Sequence, residues 1–266
     1  MTELEFADPT TLFELAGRRA VSAGSVQLWS FELRSDTALV ARCRDLLSEP
    51  ERLRADRFVF ARDMARYVLA HAITRHILSL YAGVAPAVLS FEAGASGKPA
   101  LSGPAAAVHL SFNLSHSHDR ALLAVSTQRE LGCDLEKVRP EVSGRELSER
   151  YFSARECAVI DAAPADDLAR TFFRHWVAKE AVLKAQGVGL GFDLHRFSVG
   201  FGPDGAEASV HSDDPERLRA DWWVRMLDAG EGWAAAVCAQ AGNWQLTVMR
   251  PDQPAVRLEP PAPAGR

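Results

Sequence analysis

The sequence predicts an α+β chain built as two comparable lobes, and three observations carry that expectation. Two long segments, one from Arg54 to Tyr81 and one from Thr171 to about residue 186, repeat apolar residues at helical spacing. Each half also holds several short runs rich in β-branched and aromatic residues, which read as strands. A seam near Gln128–Leu131 divides these two sets, giving lobes over 1–130 and 131–250, and a proline-rich stretch over 251–266 reads as a disordered tail.

In chain order, Val26–Leu33 (V-Q-L-W-S-F-E-L) is the first clear strand. Asp36 is placed to cap a helix running to about Leu47, which Ser48-Glu49-Pro50 would break. The segment from Arg54 to Tyr81 then turns Phe58, Ala65, Val68, Leu69, Ala72, Ile73, Ile77 and Leu80 inward. Gly94–Pro104 (G-A-S-G-K-P-A-L-S-G-P) is a loop of turn formers carrying Lys98. Val108–Leu114 and Ala121–Ser126 read as strands around a polar turn S-H-S-H-D-R, and Leu131–Val138 is a further strand. Beyond Pro140 the chain is mostly helical, up to glycines 187, 189 and 191, which end the last helix by ordinary C-cap chemistry. Strands near Phe197–Phe201, Trp222–Leu227, Trp233–Ala239 and Trp244–Met249 follow.

Composition excludes several classes. No apolar run approaches the ~20 residues of a membrane helix, and the acidic start (Glu3, Glu5, Asp8) is unlike a secretory signal. Cys43, Cys133, Cys157 and Cys238 are scattered, which fits a reduced cytoplasm and argues against structural zinc. A net charge of −5 argues against wholesale nucleic-acid binding. Of 30 basic residues only Lys98, Lys137, Lys179 and Lys184 are lysine. Arginine supplies the generic positive charge, so the lysines mark places where a compact ammonium is needed.

Four groups of residues carry chemistry. In the helix after Thr171, Glu180 shares a face with Trp176 and Leu183, and Lys184 follows one turn later. A carboxylate on a packed stripe is costly unless something binds it, although an ion pair at the edge of the core would also satisfy it. Asp134 and Glu136, two apart on a strand, point to one face while Cys133 and Leu135 take the other. Two adjacent carboxylates repel unless a cation joins them, and together with Glu180 they offer hard oxygen ligands suited to Mg²⁺. Exposed acids on an alternating strand are the plainer alternative. Ser115, His116 and His118 suit a turn touching a phosphorylated ligand, but a His-His-Asp hydrolase metal site remains open. A Ser115–His116 dyad is poor, because neighbours on an extended chain project oppositely. Arg52, Arg54, Arg57, Arg62 and Arg66 form either a solvated face or a phosphate site. Neither G-x-x-x-x-G-K-[ST] nor G-x-G-x-x-G occurs, so P-loop and Rossmann readings have no support. Residue chemistry alone reaches a Mg²⁺-dependent phosphoryl-type transfer and stops there.

Four motifs go further: G-K-P (97–99), F-N-L-S-H-S (112–117), G-C-D-L-E-K (132–137) and W-V-A-K-E-A-V-L-K-A-x-G-x-G-L (176–190). In this order the chain resembles the 4′-phosphopantetheinyl transferases of the surfactin-synthetase-activating (Sfp-type) group, over roughly Arg54 to Phe201. The resemblance implies transfer of phosphopantetheine from coenzyme A to a serine of an apo acyl or peptidyl carrier protein, releasing adenosine 3′,5′-bisphosphate. The W-x-x-K-E-A form resembles members serving polyketide, nonribosomal or fatty-acid-like synthesis. By position, Asp134, Glu136 and Glu180 would hold Mg²⁺ against the CoA diphosphate. Glu180 would also help deprotonate the incoming serine, and Lys184 would neutralise or protonate the departing phosphate. Lys98 with Pro99, and Ser115 with His116, match segments that hold the nucleotide and its 3′-phosphate. Arg54 and Arg62 fall where the family places basic residues for CoA phosphates, and Lys179 matches a motif lysine that would touch the nucleotide. The implied fold has two similar lobes in pseudo-twofold relation with CoA between them, and two lobes completing one site within a chain make a monomer the default, in the cytoplasm that the cysteines suggest. Helical carrier proteins tend to be acidic around their serine, so the arginine-rich first lobe is expected to help dock them. Two departures stand out: Cys133 replaces the usual aliphatic residue, and the chain is longer at both ends.

Overall fold

A computed structural model describes the chain except residues 95–96, 128, 189–192, 215, 217, 219–220, 241–243 and 253–266. The seam residue Gln128, the glycines 189 and 191 and almost all of the proline-rich tail therefore lie outside the described residues. The strands are β1 (Thr2–Glu3), β2 (Ser25–Glu32), β3 (Ser90–Ala93), β4 (Pro99–Ser102), β5 (Ser111–Ser117), β6 (Arg120–Ser126), β7 (Leu131–Lys137), β8 (Phe197–Phe201), β9 (Glu207–Ser212), β10 (Trp222–Asp228), β11 (Trp233–Gln240) and β12 (Gln245–Met249). The helices are α1 (Pro9–Phe13), α2 (Thr37–Arg44), α3 (Glu49–Ala55), α4 (Ala61–Ala82), α5 (Gly144–Tyr151), α6 (Ala154–Asp161) and α7 (Leu168–Gln186). The α+β expectation holds.

One sheet has the order β12-β2-β6-β5, and a larger one runs β7-β11-β10-β9-β8 with β1 against β10. Each sheet carries one long helix on its outer face. Against the first, α4 packs Val68, Leu69, Ile73 and Ile77 onto Trp29, Phe31, Leu123 and Val125. Against the second, α7 packs Phe173, Val177, Ala181 and Val182 onto Trp222, Val224, Ala234 and Ala236. The inner faces meet in a third apolar cluster, where Val26, Leu28, Leu122 and Ala124 face Leu131, Cys133, Leu135 and Val237. The strand alternation explains how one chain serves both clusters: in β2, Val26 and Leu28 point inward between the sheets while Trp29 and Phe31 point to α4. Burying each such side chain contributes about 2 kcal/mol.

Four sequence expectations are revised by this arrangement. The segment Arg54–Tyr81 is not one helix. Ser48 and Glu51 form a reciprocal capping box, so Ser48-Glu49-Pro50 starts α3 rather than only ending α2. Phe60 is extended and begins α4, which leaves Phe58 on the surface at 39% exposure instead of in the core. In the second revision, Ser115, His116 and Ser117 belong to β5, and only His118 and Asp119 separate it from β6. The third is a strand absent from the sequence reading, β9, whose polar ends E-A-S-V-H-S mask its alternation.

The fourth concerns the termini, which cross the expected boundary. β12 runs parallel to β2, pairing Gln245–Met249 with Ser25–Trp29, so the last strand completes the first sheet. In exchange β1 pairs with Leu227 and Asp228 of the second sheet. Pairing partners this far apart in sequence are chosen by sheet edges, which no local pattern encodes.

Candidate active site

A cavity of about 330 Å³ opens where β5 and β7 come side by side beneath α7. It is lined by Leu114, Ser115, His116, Asp134, Glu136, Trp176, Glu180 and Lys184. β7 supplies the two acids from one face because they alternate with Cys133 and Leu135, both buried between the sheets. α7 supplies Glu180 and Lys184 from successive turns.

What brings α7 down onto β7 is Gly132. A Cβ there would come within 3.0 Å of Ala181 O, Ala185 N and Lys184 C. Only hydrogen fits, so the glycine of G-C-D-L-E-K sets the helix directly above the acids. Helix α7 ends at Gly187, whose left-handed φ of 74° lets its N–H reach Leu183 O.

The electrostatics of the cavity are uneven. Lys184 Nζ donates to Asp134 Oδ1 at 2.6 Å and to Ser115 Oγ at 3.0 Å. Burial opposes the ammonium, but Asp134, Cys133 and Glu180 outweigh it, so the Lys184 pKa is raised and the side chain stays charged. Glu180 has no such donor, and its Oε1 is buried without a hydrogen-bond partner. Desolvation, with repulsion from Asp134 and Glu136, pushes its pKa up to about 7 against the pull of Lys184. Glu136 is also raised, first by desolvation and then by Asp134, although Ser117 works against both. Asp134 is 3% exposed and keeps one oxygen, Oδ2, without a partner. Desolvation, with the neighbouring His71, Lys184, Arg66 and Arg54 acting the same way, pushes the His116 pKa down to about 4, so it is neutral at pH 7.

Two buried, unpartnered carboxylate oxygens beside a third acid are costly as they stand. They fit a hard divalent cation, which takes one or two carboxylates and fills the rest of its shell with water and phosphate oxygens. No group of three or more His, Cys, Asp or Glu residues is gathered closely enough, among the described residues, to form a ready metal cage. The geometry is therefore a partial ligand set, with Lys184 now occupying one oxygen of Asp134.

The other sequence-derived candidates lie apart from this cavity or are engaged elsewhere. Arg54 lines a neighbouring cavity with Pro50, Leu53, Arg57 and Phe58, and its guanidinium stands 5.7 Å from the centre of the Tyr67 ring. Arg62 is exposed beside Asp63. Lys98 and Pro99 line a third cavity, where Lys98 Nζ holds Glu130, Leu131 O and Ala185 O at 2.9–3.1 Å. Lys179 needs correction: it does not face a nucleotide. It is 1% exposed, and its ammonium reaches Glu156 Oε2 at 2.6 Å and Phe197 O. Glu156 in turn accepts the Val199 N–H and caps α6 at Ser153. One helical position rotates the side chain about 100° from Glu180, into the apolar stripe and out of the cavity. Cys133 fits its place as a small buried residue, with its thiol donating to Asn113 O at 3.2 Å.

Comparison with known proteins identifies the family. A family model for the 4′-phosphopantetheinyl transferase superfamily matches residues 130–238, which contain all three acids and Lys184. A model for the N-terminal part of 4′-phosphopantetheinyl transferases matches residues 34–128. The chain belongs to the 4′-phosphopantetheinyl transferase superfamily. Among its relatives, the transferase is 33% identical to the 4′-phosphopantetheinyl transferase HetI of Nostoc, over 83% of this chain and 90% of that protein. It is 29% identical to psf-1 of Bacillus pumilus, over 81% of this chain and 88% of that protein. The similarity extends to a Xenopus laevis L-aminoadipate-semialdehyde dehydrogenase-phosphopantetheinyl transferase, at 31% over 71% of this chain and 66% of that one. This transferase is an enzyme of the same kind, and none of its described helices is long and apolar enough to cross a membrane.

Sequence reasoning missed Trp176 and Leu114 as cavity walls and Ser117 as a partner of Glu136. A signal for Ser117 was present: residues 113, 115 and 117 alternate as Asn, Ser, Ser along one strand, so all three share a face.

Proposed function

We propose that this transferase moves the 4′-phosphopantetheine arm of coenzyme A to a serine hydroxyl of an apo acyl or peptidyl carrier protein, with Mg²⁺ as its cofactor. The observation that carries the reading is the pairing of a proton acceptor and a fixed cation in one cavity. In the metal-free cavity the Glu180 carboxyl, its Oε1 buried without a partner, is pushed up to about 7, while Lys184 one turn away stays charged. A base near neutrality suits removal of a hydroxyl proton.

In the reaction the carrier serine oxygen forms a bond to the phosphorus bearing pantetheine. The bond to the bridging oxygen of the diphosphate breaks, and adenosine 3′,5′-bisphosphate leaves. Glu180 receives the hydroxyl proton, directly or through one water. Lys184 remains an ammonium, so it neutralises charge on the departing phosphate rather than donating a proton to it. Asp134, Glu136 and Glu180 would hold Mg²⁺, which when bound neutralises the diphosphate and orients it. Ser115 and His116 form the wall facing the nucleotide, and a neutral His116 is suited to gain a proton as a phosphate binds. Arg54 and Arg66 lie close enough to influence His116 and extend a positive wall toward the CoA phosphates. The roles of Lys98, Pro99 and Arg62 toward the nucleotide rest on the motif resemblance alone.

The cavity's position at the β5–β7 seam supports a cofactor lying between two halves of the chain, each a sheet backed by one long helix. With both halves of one chain contributing to the cavity, a monomer is the state this reading takes. Carrier domains of polyketide, nonribosomal or fatty-acid-like synthases are the acceptors this reading favours.

Intact-mass spectrometry of several purified apo carrier proteins, incubated with the transferase and CoA in Mg²⁺ or in EDTA, tests it. A gain of one phosphopantetheine in Mg²⁺ alone is expected. No gain on any acceptor, or an equal gain in EDTA, would refute the acceptor class or the cation respectively.

A further inference from the structure

The two sheets meet edge to edge at β5 and β7 without joining into one sheet. What ties them is a row of side chains. Asn113, Ser115 and Ser117 stand at alternate positions of β5 and so project to the same side. Asn113 Oδ1 accepts the Cys133 N–H at 2.8 Å, Ser115 Oγ accepts the Leu135 N–H at 3.3 Å and Ser117 Oγ accepts the Lys137 N–H at 3.3 Å. These are the amides of β7 that point away from its partner β11, and a buried edge must satisfy them somehow.

A serine hydroxyl has one proton and two lone pairs. With their lone pairs receiving β7 amides, the two serines give their protons to the acids between those amides. Ser115 donates to Asp134 Oδ1 at 2.8 Å, and Ser117 donates to Glu136 Oε2 at 2.8 Å. Ser115 lines the cavity and also accepts from Lys184. Ser117 does neither: it is 8% exposed, and its remaining neighbour is His118 Nδ1 at 3.3 Å. It can act on the site through Glu136 or through the strand whose Lys137 N–H it holds.

That carboxylate needs restraint. Asp134 repels it and burial penalises its charge. Its long side chain would relieve both by rotating toward solvent, which Asp134, pinned by Lys184 and Ser115, cannot do. We propose that Ser117 is a positioning residue that aims Glu136 into the cavity to receive a divalent cation, while its lone pair fixes the neighbouring strand. The proposal rests on the Mg²⁺ reading above and adds a residue that neither touches the cation nor lines the cavity. Outer partners of metal ligands commonly change metal affinity ~10–100-fold when removed.

The test is Mn²⁺ binding, followed by electron paramagnetic resonance titration of the full chain with CoA present and no carrier protein. Ser117→Ala should weaken Mn²⁺ binding by ~10-fold or more, and Ser117→Thr, which keeps the hydroxyl, should restore most of it. A Ser117→Ala protein that melts earlier but binds Mn²⁺ as tightly as the parent would reduce Ser117 to a strand fastener and overturn the proposal. If Ser117→Ala does not fold, Ser117→Cys keeps the size and replaces a strong donor with a weak one, and parental affinity in that variant overturns it equally. Asp134→Asn is the control. Unchanged Mn²⁺ binding there would mean that the cation reading itself has failed, an outcome separate from failure of the serine.

Discussion

Gly132→Ala is the most direct probe of how the site is assembled. The added methyl would sit within 3.0 Å of the backbone at Ala181, Lys184 and Ala185. None of these is the end of a flexible side chain, so the helix itself must move, by ~1 Å to restore ordinary contacts. Overpacking of this kind costs about 1–3 kcal/mol, which in a chain of this size lowers Tm by roughly 2–4 °C per kcal/mol. The functional cost should be larger than the stability cost. Glu180 and Lys184 ride on that helix above Asp134, whose oxygen now lies 2.6 Å from Lys184 Nζ. A ~1 Å misplacement of a catalytic group can lower the rate by ~10²-fold. Thermal melting and carrier-loading kinetics on the same preparation separate the two effects. A variant with parental Tm and parental kcat/KM would refute the claim that this glycine sets the register of helix and acids.

Three further outcomes follow from the same geometry. Glu180→Gln should lower kcat by ~10²–10⁴-fold while circular dichroism and melting show a folded protein; near-parental turnover would remove Glu180 from the role of base. In the metal-free protein, folding raises the Glu180 pKa from 4.5 to about 7, so the native state holds the proton more tightly than the unfolded chain. Its contribution is therefore present in full below pH 4.5 and falls as pH rises toward 7, by about 3 kcal/mol in total. Melting in EDTA should show this decline, and Glu180→Gln should flatten it; an equal slope in the variant would assign the decline to other groups. Lys179→Met leaves Glu156, 2% exposed, without its ion-pair partner, which should destabilise the chain by ~3–5 kcal/mol. A nucleotide contact predicts the reverse pattern, unchanged Tm with weakened CoA binding, and calorimetry of CoA binding beside a melting curve distinguishes them.

Much of the site is legible in local pattern because its geometry is local. Asp134 and Glu136 share a face wherever a strand alternates, and Glu180 and Lys184 share one wherever a helix turns. The limit shows on the same helix at Lys179. Spacing alone marked Glu180 as the charge on the packed stripe, and its Oε1 is buried, but the more deeply buried charge is Lys179, held by Glu156 and Phe197 O. Which of two adjacent charges turns inward depends on an acceptor 23 residues upstream, and no periodicity within α7 contains it. Phe58 fails for a similar reason, since the Ser48–Glu51 capping box commits residues 49–55 to a separate helix and leaves the aromatic outside.

The sequence by itself determined the α+β class, most of the elements, the family and the residues of the acid–lysine set, because each follows from side-chain periodicity or from motifs a few residues long. The tertiary structure decided the exchange of β1 and β12 between sheets, the approach of α7 that Gly132 permits, and the bond from Ser117 to Glu136. Each of these joins segments far apart in the chain. Their partners are selected by open sheet edges and by the free space between packed layers, which exist only once the chain has folded.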